Sequence, residues 1–463
     1  MLQIQKYTPP LLVASYFITS VCIYTVCTAK LLQVFWFICL CTNFYVAGNS
    51  VIEAFMGIAP LRDARQASAR LEAKEWQFPT PDEQLLHLDL IIVAYLPNEQ
   101  DIILDRVRYA LEQIQYPADK LSINVLYNTP HAIEPLESQL QGLAEQHPAR
   151  LRVMSVPNSS SKADNLNYFL SRGLAKDIVA IFDCDHYPHP YGPRWAMERL
   201  TTRPGVDIVQ GRCVIFNAAH SLQTAMVAAE FDKIYAVSHP GRSALWGFGL
   251  FTGSNGFWRA TLLTELRMDD SMLTEDIDST LRALSRGACI EHDMNVVSYE
   301  LAPVSLHALW NQRLRWAQGW AQASLRHLRL AWTGKEVQRS GRMRFGLLSL
   351  LLVRELSYYL ITQYVCLVAS VVITQFPKTA HAWAVLIYFQ YPVSQWLFII
   401  SVSCLLATLW ITHRAKSEFI DPWMIVVFSV TYPVYLVITA VVGLYGHARL
   451  VSRYSAWNPT ARG

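Results

Sequence analysis

The apolar residues of this chain are gathered into two blocks, one at each end, and this arrangement limits the possible folds more than any other feature. Two apolar runs, residues 11–28 and 31–55, open the sequence, and three more, residues 347–376, 383–411 and 424–445, close it. Each run is long enough to cross the hydrocarbon core of a bilayer, about 30 Å thick, as a helix. Because the stretch between the blocks has an ordinary soluble composition, we predict a globular domain inserted between two sets of transmembrane helices.

The boundaries of these parts follow from the same pattern. Run 383–411 contains Pro392 and can form either one tilted helix or a broken pair, so the second block has three or four spans. We expect two transmembrane helices in residues 1–56, a linker in 57–87, a globular domain in 88–300, interfacial helices in 301–345, three or four transmembrane helices in 346–446 and a C-terminal tail in 447–463.

Basic residues cluster just before the third apolar run, where they outnumber the single acid Glu336. They are Arg326, Arg329, Lys335, Arg339, Arg342 and Arg344. Such an excess is typical of a segment that faces the anionic cytoplasmic leaflet. Arg449 and Arg453 favour the same side for the C-terminus, which requires an even number of later spans, and four are preferred. We therefore expect an integral, multi-pass protein of the plasma membrane, in contact with membrane lipids, with a cytoplasmic catalytic domain.

Charge and cysteine content exclude two other classes. The formal net charge is only +3, and no basic stripe interleaved with aromatic residues is present, so we expect no nucleic-acid partner. The nine cysteines form no Cys-x-x-Cys pair, which indicates reduced, structural thiols rather than a disulfide framework.

Residues 88–183 alternate short β-rich segments with segments of helical periodicity. Segment 88–95 (LDLIIVAY) is almost continuously apolar, as expected for a strand buried on both faces, and segment 101–114 has apolar residues at helical spacing. Further strands are predicted at 121–127, 150–156 and 177–183, with a helix at 162–172. This alternation predicts an α/β fold with a mostly parallel sheet, in which ligands bind beyond the carboxyl ends of the strands.

Two common nucleotide-binding loops are absent from the sequence. The first strand is followed by LPNEQ rather than by a Gly-rich dinucleotide fingerprint, and no phosphate-binding G-x-x-x-x-G-K-S/T occurs. A nicotinamide enzyme is therefore not favoured, and bound phosphates would have to be held by a metal and by basic side chains.

Two aspartates, Asp183 and Asp185, stand one residue apart directly after an apolar strand segment. Two carboxylates this close repel each other in a partly desolvated cleft unless a cation compensates them. They predict a divalent metal site, and Mg²⁺ and Mn²⁺ are the ions that favour carboxylate oxygens. Nearby histidines, His186, His189 and His292, lack the paired spacing of a zinc site, so we do not favour them as ligands.

Further motifs accompany this pair in a fixed order along the chain. They are Asn98-Glu99 after the first strand, Lys162-Ala163 at the start of a helix, the loop Gly253-Ser254-Asn255-Gly256, then Thr274-Glu275-Asp276, and Gln312-Arg313-Leu314-Arg315-Trp316 on one helix. In this order, between two membrane blocks, they resemble the processive family 2 glycosyltransferases, the group that includes cellulose, hyaluronan and chitin synthases. The resemblance covers residues 88–320 by motif and the flanking helices by architecture only. It implies a GT-A type α/β domain.

The resemblance implies a role for each motif. Asp185 and Asp183 would hold the metal, and Asp276, with Glu275 beside it, would be the catalytic base that takes the proton of the acceptor hydroxyl in one inverting displacement. The donor, a nucleoside-diphosphate sugar, would contact Glu99, Asn128, Lys162, Asp183, Asp185, Gln312 and Arg315. The acceptor would contact Gly253, Ser254, Asn255, Gly256 and Trp316. Acidic neighbours, Glu275 and Asp278, are expected to increase the basicity of Asp276.

One position departs from the family pattern. Where the family usually carries an acid that contacts the nucleotide base, this chain has Asn128. An amide donates as well as accepts hydrogen bonds, so the base stays open: a UDP-sugar is favoured and a GDP-sugar is allowed.

These observations are compatible with three functions. The preferred one is an inverting, processive transferase that extends a polysaccharide acceptor and passes it across the membrane. A single transfer to a lipid acceptor would use the same chemistry. A sugar-binding transporter or receptor is less favoured, because binding alone does not require the acids of segment 273–279 (LTEDIDS). Without the other motifs, Gln312, Arg315 and Trp316 would be interpreted as a membrane-interface anchor.

Overall fold

The computed structural model describes residues 2–332, 339–388 and 392–454. Lys335, Glu336 and the last part of the expected C-terminal tail lie outside the described residues. The helices are α1 Leu2–Val26, α2 Ala29–Glu72, α3 Leu96–Glu99, α4 Ile103–Gln113, α5 Leu136–Gln146, α6 Lys162–Ser171, α7 Gly192–Thr202, α8 Leu222–Phe231, α9 His239–Trp246, α10 Ala260–Leu266, α11 Glu275–Ser285, α12 Leu306–His327, α13 Gly341–Leu348, α14 Arg354–Gln375, α15 Ala380–Tyr388, α16 Pro392–Ala415 and α17 Pro422–Val451.

Eight strands form one sheet in the centre of the chain. They are β1 Leu88–Tyr95, β2 Leu121–Asn128, β3 Leu151–Ser155, β4 Ile178–Asp183, β5 Tyr187–Pro188, β6 Ile208–Ile215, β7 Gly256–Arg259 and β8 Ile290–Glu300. The strand order is β3-β2-β1-β4-β7-β6-β8-β5. The first four strands are parallel, as the sequence pattern predicts, and so is the β6–β8 pair. β7 and β5 run antiparallel to their neighbours, so the sheet is mixed beyond β4.

The continuous apolar character of β1 reflects burial on both faces of the sheet. Leu90 and Ile92 point into one apolar cluster, which α4, α5 and α7 complete. Ile91 and Val93 point into a second cluster on the opposite face, shared with α6, α10 and α11. Because successive strand residues alternate between faces, a strand with helices on both sides is apolar at most positions. All seven residues from Leu88 to Ala94 are buried, and the one acid among them, Asp89, accepts hydrogen bonds from Asn124 Nδ2 at 3.2 Å and from the Lys176 N–H at 2.9 Å.

Helices long and apolar enough to cross a membrane flank this domain. Five occur among the described residues: Tyr7–Val26, Ala29–Glu72, Gly341–Gln375, Ser394–Ala415 and Pro422–Val451. Two therefore precede the domain and three follow it. Helix α15 has 9 residues and ends just before residues 389–391, which are not described, so the number of C-terminal spans stays a prediction.

Helix α2 extends well past the second apolar run. It has 44 residues, or about 66 Å at 1.5 Å per residue, about twice the thickness of a hydrocarbon core. Residues 57–72, expected as part of a linker, are therefore helical and continuous with the preceding span. Helix α2 packs on α9 of the globular domain, with Glu53 and Gly57 at the contact, while α12 packs on α17. The domain is thus attached to both membrane blocks by helix packing as well as by chain connections.

Candidate active site

A cavity of about 960 Å³ lies at the carboxyl ends of β1, β2 and β4, where the sheet architecture predicts a ligand site. It brings together residues from all the sequence motifs. Those lining it are Asn98, Glu99, Asn128, Lys162, Asp183, Asp185, Gly253, Ser254, Thr274, Glu275, Asp276, Gln312, Arg313, Arg315 and Trp316. Positions separated by more than 200 residues in sequence therefore share one space.

The two aspartates sit where β4 ends, and a histidine completes their cluster. Asp183 is partly exposed to the cavity, whereas Asp185 is only 1% exposed. Ligand atoms of Asp183, Asp185 and His186 all lie within 4.8 Å of one another. The two carboxylates can therefore supply oxygen ligands to one divalent cation, and His186 lies beside them. His189 and His292 lie elsewhere, against Trp76 and His239 respectively.

His186 is held by residues of β8. Its Nε2 lies 2.6 Å from Oε2 of Glu300, and its Nδ1 lies 3.0 Å from Oγ of Ser298. Burial alone would lower the pKa of His186, but the adjacent Glu300 carboxylate outweighs it and raises that pKa. His186 lacks the paired His or Cys spacing of a metal site, and in the structure its two ring nitrogens already face Glu300 and Ser298.

Lys162 is the first residue of α6, which Ser161 caps by accepting a hydrogen bond from the Asp164 N–H. Its ammonium donates to Oδ1 of Asp183 at 2.5 Å and to the Gly253 carbonyl at 2.6 Å. Lys162 therefore joins the aspartate strand to the Gly253 loop and supplies one positive charge to the cavity.

Asp276 lies in the first turn of α11 and faces the Gly253 loop. Burial and the negative charge of Glu275 raise the pKa of Asp276 to about 7, although Lys162 and Arg315 act in the opposite direction. Gly253 has a φ of +95°, and a Cβ at that position would lie 3.2 Å from Oδ2 of Asp276. The loop therefore approaches the carboxylate with its backbone. A carboxyl group with a pKa near neutrality is suited to act as a base.

Asp278 does not support Asp276 in the expected way. It is fully buried, with its two oxygens 2.7 Å from Nε2 of His327 and 2.7 Å from Nε of Arg282. Burial alone would raise the pKa of Asp278, but these two partners hold it below its ordinary value. Asp278 is thus a structural contact between α11 and α12, and Glu275 is the acid that raises the pKa of Asp276.

The loop 253–256 has two residues at the cavity and two in the protein interior. Ser254 faces the cavity, and its Oγ accepts the Asp183 N–H at 3.1 Å. Asn255 is 1% exposed and its side chain donates to the Val296 carbonyl at 2.9 Å, while Gly256 begins β7. Gly253 and Ser254 are therefore placed to contact a ligand, whereas Asn255 and Gly256 shape the loop, and the acceptor contact expected for them is not supported.

Helix α12 presents Gln312, Arg315 and Trp316 to the cavity. Among the described residues, the buried Oε1 of Gln312 has no hydrogen-bond partner. The Trp316 ring lies 4.5 Å from Cζ of Arg313, which forms an ion pair of 2.6 Å with Glu230. The indole is therefore fixed on one side by a paired cation. Its position in the cavity wall is not that of a side chain directed at lipid, so a simple interface anchor is not the arrangement observed.

Helix α12 also packs tightly against the Thr274-Glu275-Asp276 motif. A Cβ at Gly319 would lie 2.5 Å from Cγ2 and 2.9 Å from the backbone N of Thr274. Gly319 therefore allows a contact that a larger residue would prevent, and it fixes the position of Asp276 relative to Arg315 and Trp316.

Two amides and one carboxylate occupy the end of the site near β1 and β2. Asn128 donates to the Ser159 carbonyl at 3.2 Å and accepts from Asn165 at 3.0 Å, so the amide uses both of its functions. Glu99 accepts the Tyr95 N–H at 2.6 Å. Asn165 also lines the cavity and was not singled out from the sequence.

The chain belongs to a known family. The model of the family described as "Glycosyltransferase like family 2" matches residues 87–319, half of the chain. That range includes β1 to β8 and the part of α12 that carries Gln312, Arg315 and Trp316. The family predicted from the motifs is confirmed, and it is of the cellulose-synthase-like kind, with a GT-A-like α/β domain.

Curated relatives are distant and longer than the matched region. A probable glucomannan 4-beta-mannosyltransferase 7 of Oryza sativa subsp. japonica is 28% identical over 218 residues, which cover 45% of this chain and 37% of that protein. A beta-monoglucosyldiacylglycerol synthase of Synechocystis sp. is 24% identical over 307 residues, 65% of this chain and 62% of that protein. The chain thus spans less than two thirds of either relative.

A solved structure shares the fold. The mannosyltransferase PcManGT from Pyrobaculum calidifontis, determined in complex with GDP-Man and Mn²⁺, superposes with a TM-score of 0.52 at 19% sequence identity. The match covers 80% of this chain and all of that one. At this identity the likeness concerns the fold.

Proposed function

We propose that this protein is an inverting glycosyltransferase that transfers a hexose from a nucleoside-diphosphate sugar to a carbohydrate acceptor at a membrane. The observation that carries this proposal is the placement of Asp276, with its raised pKa, in the same cavity as the Asp183, Asp185 and His186 cluster. A base for an acceptor hydroxyl and a cation site for a diphosphate are the two requirements of this reaction.

Asp183 and Asp185 would hold Mg²⁺ or Mn²⁺. Their ligand atoms lie within 4.8 Å of each other and are carboxylate oxygens, which fits either ion. When bound, such an ion stabilises the negative charge of the departing diphosphate. The Mn²⁺ and GDP-Man in the structure of PcManGT support both a divalent cation and a nucleotide-sugar donor.

Residues of the chain itself carry out proton removal, donor binding and recognition of the base. The Asp276 carboxylate removes the proton from the acceptor hydroxyl as that oxygen attacks the anomeric carbon, and the bond to the diphosphate breaks on the opposite face, so configuration inverts. Arg315 and the Lys162 ammonium lie in the same cavity and attract the anionic donor. Asn128 and Asn165 contact the nucleotide base, with a UDP-sugar favoured and a GDP-sugar allowed.

Trp316 identifies the acceptor end of the site. An indole face fixed in the cavity wall is suited to stack on a sugar ring. A growing polysaccharide is the preferred acceptor, and the glucomannan mannosyltransferase relative supports it. A single transfer to a lipid is the second candidate, because the glycolipid synthase relative aligns over a longer part of this chain.

We further propose that the protein is an integral, multi-pass protein of the plasma membrane, contacts membrane lipids, and translocates its polymer. The packing of α2 on α9 and of α12 on α17 supports a catalytic domain seated at the membrane surface, on the cytoplasmic side.

The test is nucleotide release by protein purified in detergent or nanodiscs. UDP-glucose, UDP-N-acetylglucosamine and GDP-mannose are each incubated with Mn²⁺ and either an oligosaccharide or diacylglycerol. Nucleotide release that requires Asp276 supports a transferase. The acceptor that supports this release, oligosaccharide or diacylglycerol, decides between a polymer and a lipid product. Binding of a donor without release in any combination would instead support a receptor.

A further inference from the structure

The C-terminal end of α17 forms part of the catalytic cavity. Leu450, Arg453 and Tyr454 line the same cavity as Asp183 and Arg315. Leu450 lies at the end of the last candidate membrane span and the other two follow it, and all three lie outside residues 87–319, the region matched by the family model. From the sequence, Arg453 is interpreted only as a basic residue at the membrane border.

The backbone at Arg453 is in a conformation that favours glycine. Helix α17 is capped at Ser452, Arg453 has a φ of +54°, and the Tyr454 N–H donates to the Arg449 carbonyl at 2.9 Å. This is the geometry in which a helix usually ends with glycine, because a Cβ is disfavoured at positive φ. An arginine at this position lowers stability relative to glycine, so a role for its side chain would account for it.

Two contacts hold this end of the helix against the cavity. Gln318 of α12 donates from Nε2 to the Tyr454 carbonyl at 2.7 Å, and Cζ of Arg449 lies 4.4 Å from the Tyr454 ring centroid. Gln318 is three residues beyond Arg315 on the same helix. The turn that carries Arg453 is therefore attached to the helix that carries the expected diphosphate-binding arginine.

The charges of the cavity leave Arg453 available for an anion. Lys162 is paired with Asp183, and Arg313 is paired with Glu230. Among the described residues, neither Arg315 nor Arg453 forms an ion pair with a carboxylate within 4.0 Å. A basic residue at a helix C-terminus also favours the helix dipole, but Arg449 already supplies that charge in the last turn. The dipole does not explain an arginine at positive φ.

We propose that Arg453 is a second anion-binding arginine of the donor site, which contacts the diphosphate of the nucleoside-diphosphate sugar together with Arg315. This inference rests on the proposed function. Two guanidinium groups, one from α12 and one from the end of α17, would then hold the diphosphate from different elements. The end of the last membrane helix would thereby contribute directly to substrate affinity.

The test measures binding of UDP and of GDP, each with Mn²⁺, to full-length protein in nanodiscs by calorimetry. Arg453→Gly removes the side chain and gives the turn its favoured residue, so the thermal unfolding midpoint should not fall. We expect nucleotide affinity to fall about 10-fold, the order expected for a lost charge-assisted contact. Arg453→Lys should lose less affinity because it keeps the charge.

Arg344→Ala is the charge-matched control. Arg344 is exposed, lies outside the cavity lining and stands in the first turn of candidate span Gly341–Gln375, so its removal should leave affinity unchanged. Wild-type affinity in Arg453→Gly would overturn the inference and leave the proposed function standing. Failure of the wild-type protein to bind either nucleotide would overturn both.

Discussion

Lys162 forms an ion pair with Asp183, with its Nζ 2.5 Å from Oδ1, and the same ammonium reaches the Gly253 carbonyl at 2.6 Å. One lysine thus stabilises the first acid of the metal-binding pair and fixes the loop that faces Asp276. Asp185 lies two residues further on and is buried in the same cavity. A divalent cation would bind the oxygens of this aspartate pair.

Removal of the metal or of Asp185 should abolish activity. Asp185→Asn keeps the shape of the side chain but loses the negative charge that binds a divalent ion. We expect nucleotide release to fall at least about 10²-fold, the lower bound for removal of a group needed in the transition state. Excess EDTA should abolish nucleotide release by the wild-type protein, and added Mg²⁺ or Mn²⁺ should restore that release. Full turnover in excess chelator would rule out a metal-dependent transfer.

The pH dependence of turnover should report Asp276. An aspartate acts as a base only when ionised, and the pKa of Asp276 is raised to about 7, so kcat/KM should rise with pH with a midpoint near 7. Glu275→Gln removes the neighbouring charge that raises this pKa, so its midpoint should move to lower pH. Turnover of purified protein from pH 5 to 9 provides the measurement, and an identical midpoint in Glu275→Gln would contradict this electrostatic coupling.

Asp276→Asn should separate chemistry from stability. Its turnover should drop by about 10² or more while donor affinity stays close to wild type. Because the folded-state pKa of Asp276 lies above its unfolded value near 4, ionisation costs stability progressively between about pH 4 and 7, and the cost is fully present above pH 7. The variant should therefore unfold at a higher temperature than wild type at pH 8. Equal losses of affinity and turnover would indicate a structural role.

Trp316→Ala should uncouple donor hydrolysis from polymer growth. The change removes the stacking face but leaves Asp185 and Asp276 in place, so donor should bind and be slowly hydrolysed by water while product shortens or disappears. Trp316→Phe should keep part of the product length. Chain length and nucleotide release are compared in monodisperse protein, and wild-type product length in Trp316→Ala would refute the stacking role.

Gly319→Ala should lower kcat although Gly319 does not line the cavity. Its methyl group would lie 2.5 Å from Cγ2 of Thr274, so α12 and the first turn of α11 must separate and Asp276 must shift. We expect kcat to fall about 10-fold or more, since small displacements of a catalytic group have large effects. Gly142→Ala is the matched control, because a Cβ there meets nothing within 4 Å and should stabilise α5. Equal kcat in the two variants would show that the Gly319 contact is not needed.

Local sequence patterns were sufficient for the parallel half of the sheet. The apolar segments 88–95, 121–127, 150–156 and 177–183 correspond to β1, β2, β3 and β4 with small shifts at their ends. The sequence predicts them because a strand covered by helices on both faces is apolar at most of its adjacent positions. The antiparallel insertion of β7 between β4 and β6 could not be read in this way, because it depends on pairing between segments about 50 residues or more apart.

The sequence by itself determined the family, the order of the motifs and the positions of the apolar runs, because each is carried by residues close together in the chain. Tertiary structure decided which motif residues face the cavity: it turned Asn255 inward to Val296 and paired Asp278 with His327 and Arg282. It also placed Glu300 and Ser298 against His186 and brought Arg453 next to α12 through the contact between Gln318 and Tyr454. Apart from the Asp278–Arg282 pair, which is four residues apart, these contacts join residues at least 41 positions apart. The packing of whole elements, rather than any local pattern, determines them.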